Sequence, residues 1–409
     1  MRQRLFFASS SFLLLLLTTG SAVRADVITD WNRIALPFVT SYSLAAPAYR
    51  DMAMMHLAMY QCINAVEPRH EPYKTKLMAS PGTSRDVAAA VAAASVLSKL
   101  HPDIAAKIDA ELKQYVAKIG DSAEAVSAGV AFGEKAAAEI WQMRAEDGSA
   151  ATDTYRPKTT PGQYVPTAPV VSSTWSGVTP FTLKSASQFR PGPPLDLTSE
   201  EWAENYNEIR QIGGKNSKTR TALQSETGRF WLYTGPGTFF PLAQQLSEAK
   251  GLDVHENARL FALLAMATND AMVAVFDAKY RYEFWRPVTA IRNGDEDNNP
   301  KTQRESDWEP LGATPMHPEY PCAHCIVAGA AGNMMKAFFG SGTLPEFKLS
   351  TPTAPGVTHS WTRLDDYIAE PSNARVWAGI HYRFSTVVGT DMGRKIAEHA
   401  VANYLRPPK

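Results

Sequence analysis

Five residues and one helix start in the C-terminal third of the chain have the types and spacing to handle an oxyanion. Lys279 and Arg286 lie seven residues apart in Ala278-Lys-Tyr-Arg-Tyr-Glu-Phe-Trp-Arg-Pro287. Two helical turns would put both cations on one face, beside aromatic bulk and just before a helix-breaking proline. The competing reading is a Lys and an Arg that merely cover an apolar helix with their stems. Pro321-Cys322-Ala323-His324 opens an Ala/Gly/Met-rich stretch running to about Phe339. With Pro321 as the first helical residue, the N–H groups of 322 to 324 would face outward as an anion site, with His324 at its mouth. A His there could equally be a simple cap. In Ser372-Asn-Ala-Arg375-Val-Trp-Ala-Gly-Ile-His381, Ser372 or Asn373 reads as the cap of a helix with Arg375 in its first turn. His381 would then stand about 120° away around the axis. Three cations, a helix N-terminus and two histidines suit a tetrahedral oxyanion: charge is neutralised, one His attacks or ligates the central atom, and the other moves a proton.

Other chemistries fit less well. His317, Cys322, His324 and Cys325 could be read as a zinc site. Their spacing suits tetrahedral ligation poorly and leaves the three cations unexplained, so no zinc is expected. Haem attachment is excluded because Ile326 follows Cys325 where a His is needed. The acidic loop from Asn293 to Pro300 lacks the Gly and Glu that a calcium loop requires.

The elements that must position these groups read as helices. Apolar spacing predicts helices over 44–66, 84–118 with an interruption at His101-Pro102, 122–146, Ser199 to about Ile212, Ser217 to Trp231, and Phe240 to Arg286 with a break at Gly251. Within the first of these, His56 reads as a hydrogen-bonded core histidine and Cys62 as a small buried apolar residue. Residues 148–198 are rich in Pro, Thr and Ser yet contain Trp175, Phe181 and Phe189, as an ordered connection laid over the body would. Strand signals are almost absent. The expectation is one all-α domain over 26–409, helical bundles with the oxyanion site in the bundle core, and 270–405 carrying that site.

The 409 residues carry 41 basic and 41 acidic side chains and are 44% apolar, so nothing draws the chain to nucleic acid or an anionic membrane. Arg2 and Arg4, the apolar run from Phe12 to Leu17 and Val23-Arg-Ala25 form a signal peptide over 1–25. No later run reads as a membrane span, so a periplasmic or secreted protein is expected. Of the three cysteines, Cys322 and Cys325 could pair in such a compartment.

Lys279-x6-Arg286-Pro287, Pro321-Cys322-Ala323-His324 and Arg375-x5-His381 together resemble the three-part signature shared by vanadium-dependent haloperoxidases and type 2 phosphatidic acid phosphatases. The likeness extends through Phe189-Arg-Pro-Gly-Pro-Pro194 and Phe284 to Arg292 and is nearest to soluble, exported bacterial haloperoxidase-like members. It implies that Lys279, Arg286, Arg375, Cys322 and Ala323 hold the oxygens of vanadate, or of phosphate as the alternative occupant. It makes His381 the axial vanadium ligand or a phosphohistidine nucleophile, His324 the acid–base group, and His317 a residue that tunes halide choice, with bromide favoured. The partners would be peroxide and halide, or a phosphomonoester, and a homo-oligomer is left open. The sequence departs from the signature where Cys322 replaces Ser, Ala323 replaces Gly and Ala374 replaces Ser. A thiol is a weaker donor than a hydroxyl and is oxidisable, and a Cys322–Cys325 disulfide would protect it at the cost of that hydrogen bond. Three readings follow: a haloperoxidase, a soluble acid phosphatase, and an oxyanion-binding protein without turnover.

Overall fold

The computed structural model describes residues 26–42 and 45–408, so the signal-peptide expectation lies outside the described residues. The fold is all-α. In the first half, α1 (Val27–Tyr42), α2 (Ala45–Val66), α3 (Arg85–Leu100), α4 (Ala105–Val116) and α5 (Ala123–Arg144) pack side by side. Ser84 and Ser122 cap α3 and α5 by accepting from Val87 N and Ala125 N. Within α2, Cys62 is a buried free thiol. His56 is buried, 3.3 Å from Asn32 Oδ1 through Nε2 and stacked on Phe240 and Phe261.

Residues 145–199 contain a single 3-10 turn, Trp175–Gly177, and are tied down by side chains of the bundle. Asp270, wholly buried, accepts from Phe181 N (2.7 Å), Thr182 N (2.6 Å), Thr182 Oγ1 (2.6 Å) and Leu183 N (3.2 Å). Three buried backbone donors of an irregular segment thus find one carboxylate instead of a ladder.

The second half contains α6 (Glu200–Ile212), α7 (Ala222–Phe230), α8 (Phe240–Lys250), α9 (Val254–Tyr282), α10 (Pro287–Arg292), α11 (Ala323–Phe339), α12 (Leu364–Trp377) and α13 (Arg383–Asn403). The helix expected from Ser217 begins later, because Thr221 and Gln224 close a capping box at Ala222. The central rod is α9, packed against α1 and α2 on one side and α11 and α13 on the other. A capping box of Asp253 and Glu256 starts it, and it is apolar almost all round. By length and composition it could cross a membrane, but 94% of its most apolar window is buried inside the protein. Against it, α11 and α13 approach so closely that a Cβ on Gly393 would lie 2.0 Å from Ile326 O.

Three local expectations are overturned. First, Lys279 and Arg286 do not share a helix. Glu283 adopts a left-handed conformation (φ 48°) that ends α9, and Arg286 is the extended N-cap of α10, with Pro287 at its first position. Second, Pro321 is not the first residue of α11. It precedes the N-cap, Cys322, and follows Tyr320 through a cis peptide bond. Third, Ser372 and Asn373 cap nothing, because α12 runs straight through them and places Arg375 in its last turn. That helix ends in a Schellman turn: Gly379 N donates to Val376 O (2.9 Å) and Ile380 N to Arg375 O (3.2 Å). Gly379 has φ +77°, and a Cβ there would sit 2.3 Å from Gly213 O. Gly379→Ala is expected to cost about 2 kcal/mol or more through left-handed strain plus this clash, read as a lower denaturation midpoint at unchanged m-value.

A short antiparallel hairpin, β1 (Phe347–Ser350) with β2 (Thr358–Trp361) in the register Phe347↔Trp361, was not expected from the sequence. Four-residue strands are too short for their alternation to stand out. The acidic 293–300 loop is an internal clip: Asp297 accepts from Trp202 Nε1 (2.9 Å) and Thr302 Oγ1 (2.8 Å).

Candidate active site

The ends of several elements converge on one buried point. Lys279 reaches it from the last turn of α9, Arg286 from the cap of α10, Ala323 and His324 from the first turn of α11, and Arg375 from the last turn of α12. His381 comes from the link into α13, and His317 with Glu319 from the loop before α11. Lys279, Arg286, Arg375 and His381 are each no more than 1% exposed, whereas His324 is partly exposed and marks the open side. An aromatic cluster of Trp202, Phe284, Trp285, Tyr320 and Tyr382 forms the back wall and keeps water away from the charged groups.

Arg286 is the hub. Its Nε donates to His317 O (2.9 Å) and its Nη1 to Ile380 O (2.8 Å). Nη1 also lies 3.2 Å from His381 Nε2, and Nη2 lies 3.0 Å from His317 Nδ1. A guanidinium has only donors, so each of those imidazole nitrogens must offer a lone pair. On the far side of the ring, His381 Nδ1 lies 2.7 Å from Glu319 Oε1, which also accepts from Tyr382 N (3.0 Å). The network therefore assigns His381 the Nδ1–H tautomer and leaves Nε2 unprotonated, its lone pair facing Arg286 Nη1 and able to serve as ligand or nucleophile when that contact is exchanged. Glu319 is the functional residue that sequence reasoning missed. The only signal was a carboxylate set between Pro318 and Tyr320-Pro321 in the middle of the motif region.

Lys279 Nζ donates to Pro318 O (2.9 Å) and Glu319 O (2.7 Å), which aims the ammonium at the same point. Arg375 Nη1 donates to Trp231 O (2.7 Å), while its buried Nε has no partner among the described residues. A buried donor left open on a cation is what an absent anion would satisfy. Of the N–H groups at the start of α11, that of Cys322 is not available, because it donates to Ser385 O (3.2 Å). Among the described residues nothing accepts from the N–H groups of Ala323 and His324, the first two of the helix. Cys322 is bonded to Cys325, so it offers no thiol to an anion, contrary to its place in the expected oxyanion set. The same bond takes both thiolates away from the zinc reading. Ala323 opens α11 and is not among the left-handed residues, so its methyl group costs the site nothing.

Electrostatics follow from burial and crowded positive charge. Burial first, then Arg286 and Arg375, holds Lys279 well below its ordinary range. Burial pushes Arg286 down to about 10 and Arg375 down to about 9, so both stay charged at neutral pH. His317, His324 and His381 are held well below the usual imidazole range, by burial first and then by these cations. Glu319, facing all this charge from a fully buried position, is pushed up to about 7 by burial, against the pull of Arg286 and Lys279. An arriving oxyanion reverses the repulsion on Lys279 and raises its affinity for a proton. Phosphate binding is therefore expected to take up protons at neutral to alkaline pH. Calorimetry in buffers of different ionisation enthalpy checks this, and Lys279→Met is expected to reduce the uptake.

Residues 259–407 match the family model described as the VCPO second helical-bundle domain. The vanadium chloroperoxidase of Curvularia inaequalis is 25% identical over a match that takes in 77% of this chain and 66% of that protein. The crystal structure of a bacterial vanadium-dependent iodoperoxidase superposes with a TM-score of 0.78 at 24% identity, covering 94% of this chain and 97% of that one. A bacterial vanadium-dependent chloroperoxidase in its apo form superposes at 0.70 with 17% identity, covering 87% and 92%. Those structural likenesses speak to the fold, while the family match and the assembled three-part signature speak to descent. Over residues 259–407 the chain is similar to the second helical-bundle domain of the vanadium chloroperoxidases, and these findings support the superfamily of vanadium haloperoxidases and type 2 phosphatidic acid phosphatases.

Proposed function

We propose that this protein is a vanadate-dependent haloperoxidase that oxidises halide with hydrogen peroxide. One observation carries the reading: a buried imidazole, His381, turned with Nε2 unprotonated toward a pocket of three cations. The residues fit vanadate. Lys279, Arg286 and Arg375 would balance its charge, the free N–H groups of Ala323 and His324 and the open Nε of Arg375 would hold its oxygens, and His381 Nε2 would ligate it. Vanadate, when bound, supplies the activation of peroxide toward two-electron oxidation of halide. His324, on the partly exposed side and neutral at rest, would take a proton from incoming peroxide and return it later. Glu319 holds the His381 ring in register. Bromide is the halide we place first, supported by the imidazole of His317 packed against Arg286. Export to a periplasmic or extracellular space is supported by the leader-like first 25 residues and by the Cys322–Cys325 pairing.

The second reading, a phosphatase, is favoured by the same Nε2, which could attack phosphorus as well as it ligates vanadium. The test is bromide oxidation by peroxide on metal-stripped protein as orthovanadate is titrated in. A saturable rise competed by phosphate is expected. No rise, with a phosphomonoester hydrolysed and vanadate inhibiting, would move the assignment to the phosphatase. Phosphate binding without turnover of either kind would support the non-catalytic reading.

A further inference from the structure

The hairpin of β1 and β2 closes over one carboxylate of α12. Glu370 Oε1 accepts from the indole N–H of Trp231 (2.8 Å) and lies 2.6 Å from His359 Nδ1, while Oε2 accepts from the indole N–H of Trp361 (2.9 Å). His359 and Trp361 belong to β2, whereas Trp231 is the buried C-cap of α7. The hairpin and the turn within it also grip the residue before Trp231. Phe230 is stacked on the His359 ring with 4.0 Å between centroids, and its carbonyl accepts from Thr351 Oγ1 (3.0 Å) and Thr353 Oγ1 (3.0 Å). The end of α7 is thus fixed by side chains and backbone together.

That fixed end leads straight to the oxyanion site. Trp231 O accepts from Arg375 Nη1 (2.7 Å), and two residues on, Tyr233 O lies 3.3 Å from His324 Nε2. Among the described residues, Trp231 O is the one hydrogen-bond acceptor for Arg375. Glu370 and Arg375 stand on the same helix, but five residues turn them about 140° apart around its axis. Trp231 bridges them, its indole on one and its carbonyl on the other. The like charge of Arg286 pushes against Arg375, and the Trp231 carbonyl opposes that push before an anion arrives.

We propose that Glu370 is a positioning residue for the oxyanion site: by holding the Trp231 indole it fixes the carbonyl that orients Arg375. The inference rests on the haloperoxidase reading only for the anion pocket itself, which the phosphatase reading shares. A cation already aimed at the anion's place loses little freedom on binding, whereas one that must first be turned binds more weakly. None of the three site motifs contains Glu370, because its role needs a hairpin and a helix end that meet only in the folded chain.

The test measures phosphate binding to metal-free protein by calorimetry, so it does not depend on turnover. Glu370→Ala and Trp231→Phe, the second keeping a ring and the carbonyl, are compared with wild type, alone and combined with Arg375→Met. Each single change is expected to weaken phosphate about tenfold, but by less than about twofold once Arg375 is Met, because the effect travels through that guanidinium. A folded Glu370→Ala or Trp231→Phe that binds phosphate as wild type does overturns the proposal, however far its melting temperature falls. An equal loss in the Arg375→Met background overturns it too. Should these variants not fold, exchange of the Trp231 indole hydrogen in wild type decides. Phosphate is expected to slow it by about threefold or more beyond any slowing at Trp308, whose indole donates to Arg210 O, and an equal effect on both overturns the proposal. Wild type that binds no phosphate fails the anion pocket, and the proposal with it. The expected phosphate results in a protein that oxidises no halide with vanadate would sink the haloperoxidase reading and leave the role of Glu370 standing.

Discussion

His381→Ala is expected to lower vanadate-dependent halide oxidation by ~10³-fold or more, the scale seen when one member of a catalytic unit is removed. Phosphate affinity should fall much less, because Lys279, Arg286, Arg375 and two backbone N–H groups still face the anion. That split separates the ring's chemical role from the site's charge. Losing the imidazole also deprives Glu319 Oε1 of a donor at 2.7 Å and opens a small cavity, so about 1–3 kcal/mol of stability is expected to go with it. Activity per folded molecule, with folding checked by thermal melting, is therefore the quantity to compare. A variant that keeps within tenfold of wild-type activity would remove His381 from the chemistry.

Glu319→Gln tests orientation in place of contact. A glutamine carbonyl can still accept from His381 Nδ1 and Tyr382 N, but without charge, and a loss of about 10- to 100-fold in activity is expected, as for other partners that orient a metal-binding imidazole. The pH profile adds a more specific signature. Below about 7 the Glu319 carboxyl holds its proton and can donate it to Nδ1, which would move the ring proton to Nε2, the wrong tautomer for ligation. The kcat/KM of the free enzyme is thus expected to rise with pH through a limb near 7, and that limb should be absent in Glu319→Gln. Stability runs the other way. Between 4.5 and about 7 the folded chain keeps a proton that the unfolded chain has released, so this group's contribution falls as pH rises through that window and is constant above it. Denaturant melts of wild type and variant across pH 4 to 8 should differ in slope only there.

Much of the helical frame was legible because long amphipathic or apolar runs with cap residues carry their own period. The site residues were legible as types and spacings, but the geometry behind the spacings was not. Seven residues between Lys279 and Arg286 read as two helical turns, yet Glu283 takes a left-handed conformation and the chain turns a corner between them. Ser372-Asn373 reads as a cap, yet tertiary packing carries α12 through both, with Pro371 inside the helix, and the true signal was Gly379 five residues past Ala374. Glu319 could not be paired with His381 from sequence, because 62 residues separate them and a lone buried carboxylate has no local pattern. The free N–H of Cys322 was expected from helix geometry and is consumed by Ser385 of α13, a contact only the assembled bundle creates.

The Cys322–Cys325 bond has a bearing on durability. An enzyme that releases a strong two-electron oxidant is exposed to its own product, and reduced sulfur is the first side-chain group such a product consumes. On the haloperoxidase reading, the two cysteine sulfurs at the start of α11 are buried and already joined, so neither is a free thiol that could enter the sulfenic–sulfinic–sulfonic series. The remaining cysteine, Cys62, is shut inside α2 with its thiol pushed well toward the protonated, unreactive form. Wear from repeated turnover should therefore register first at methionine, at the partly exposed thioether of Met316, and peptide mapping after extended reaction would find sulfoxide there before any cysteic acid.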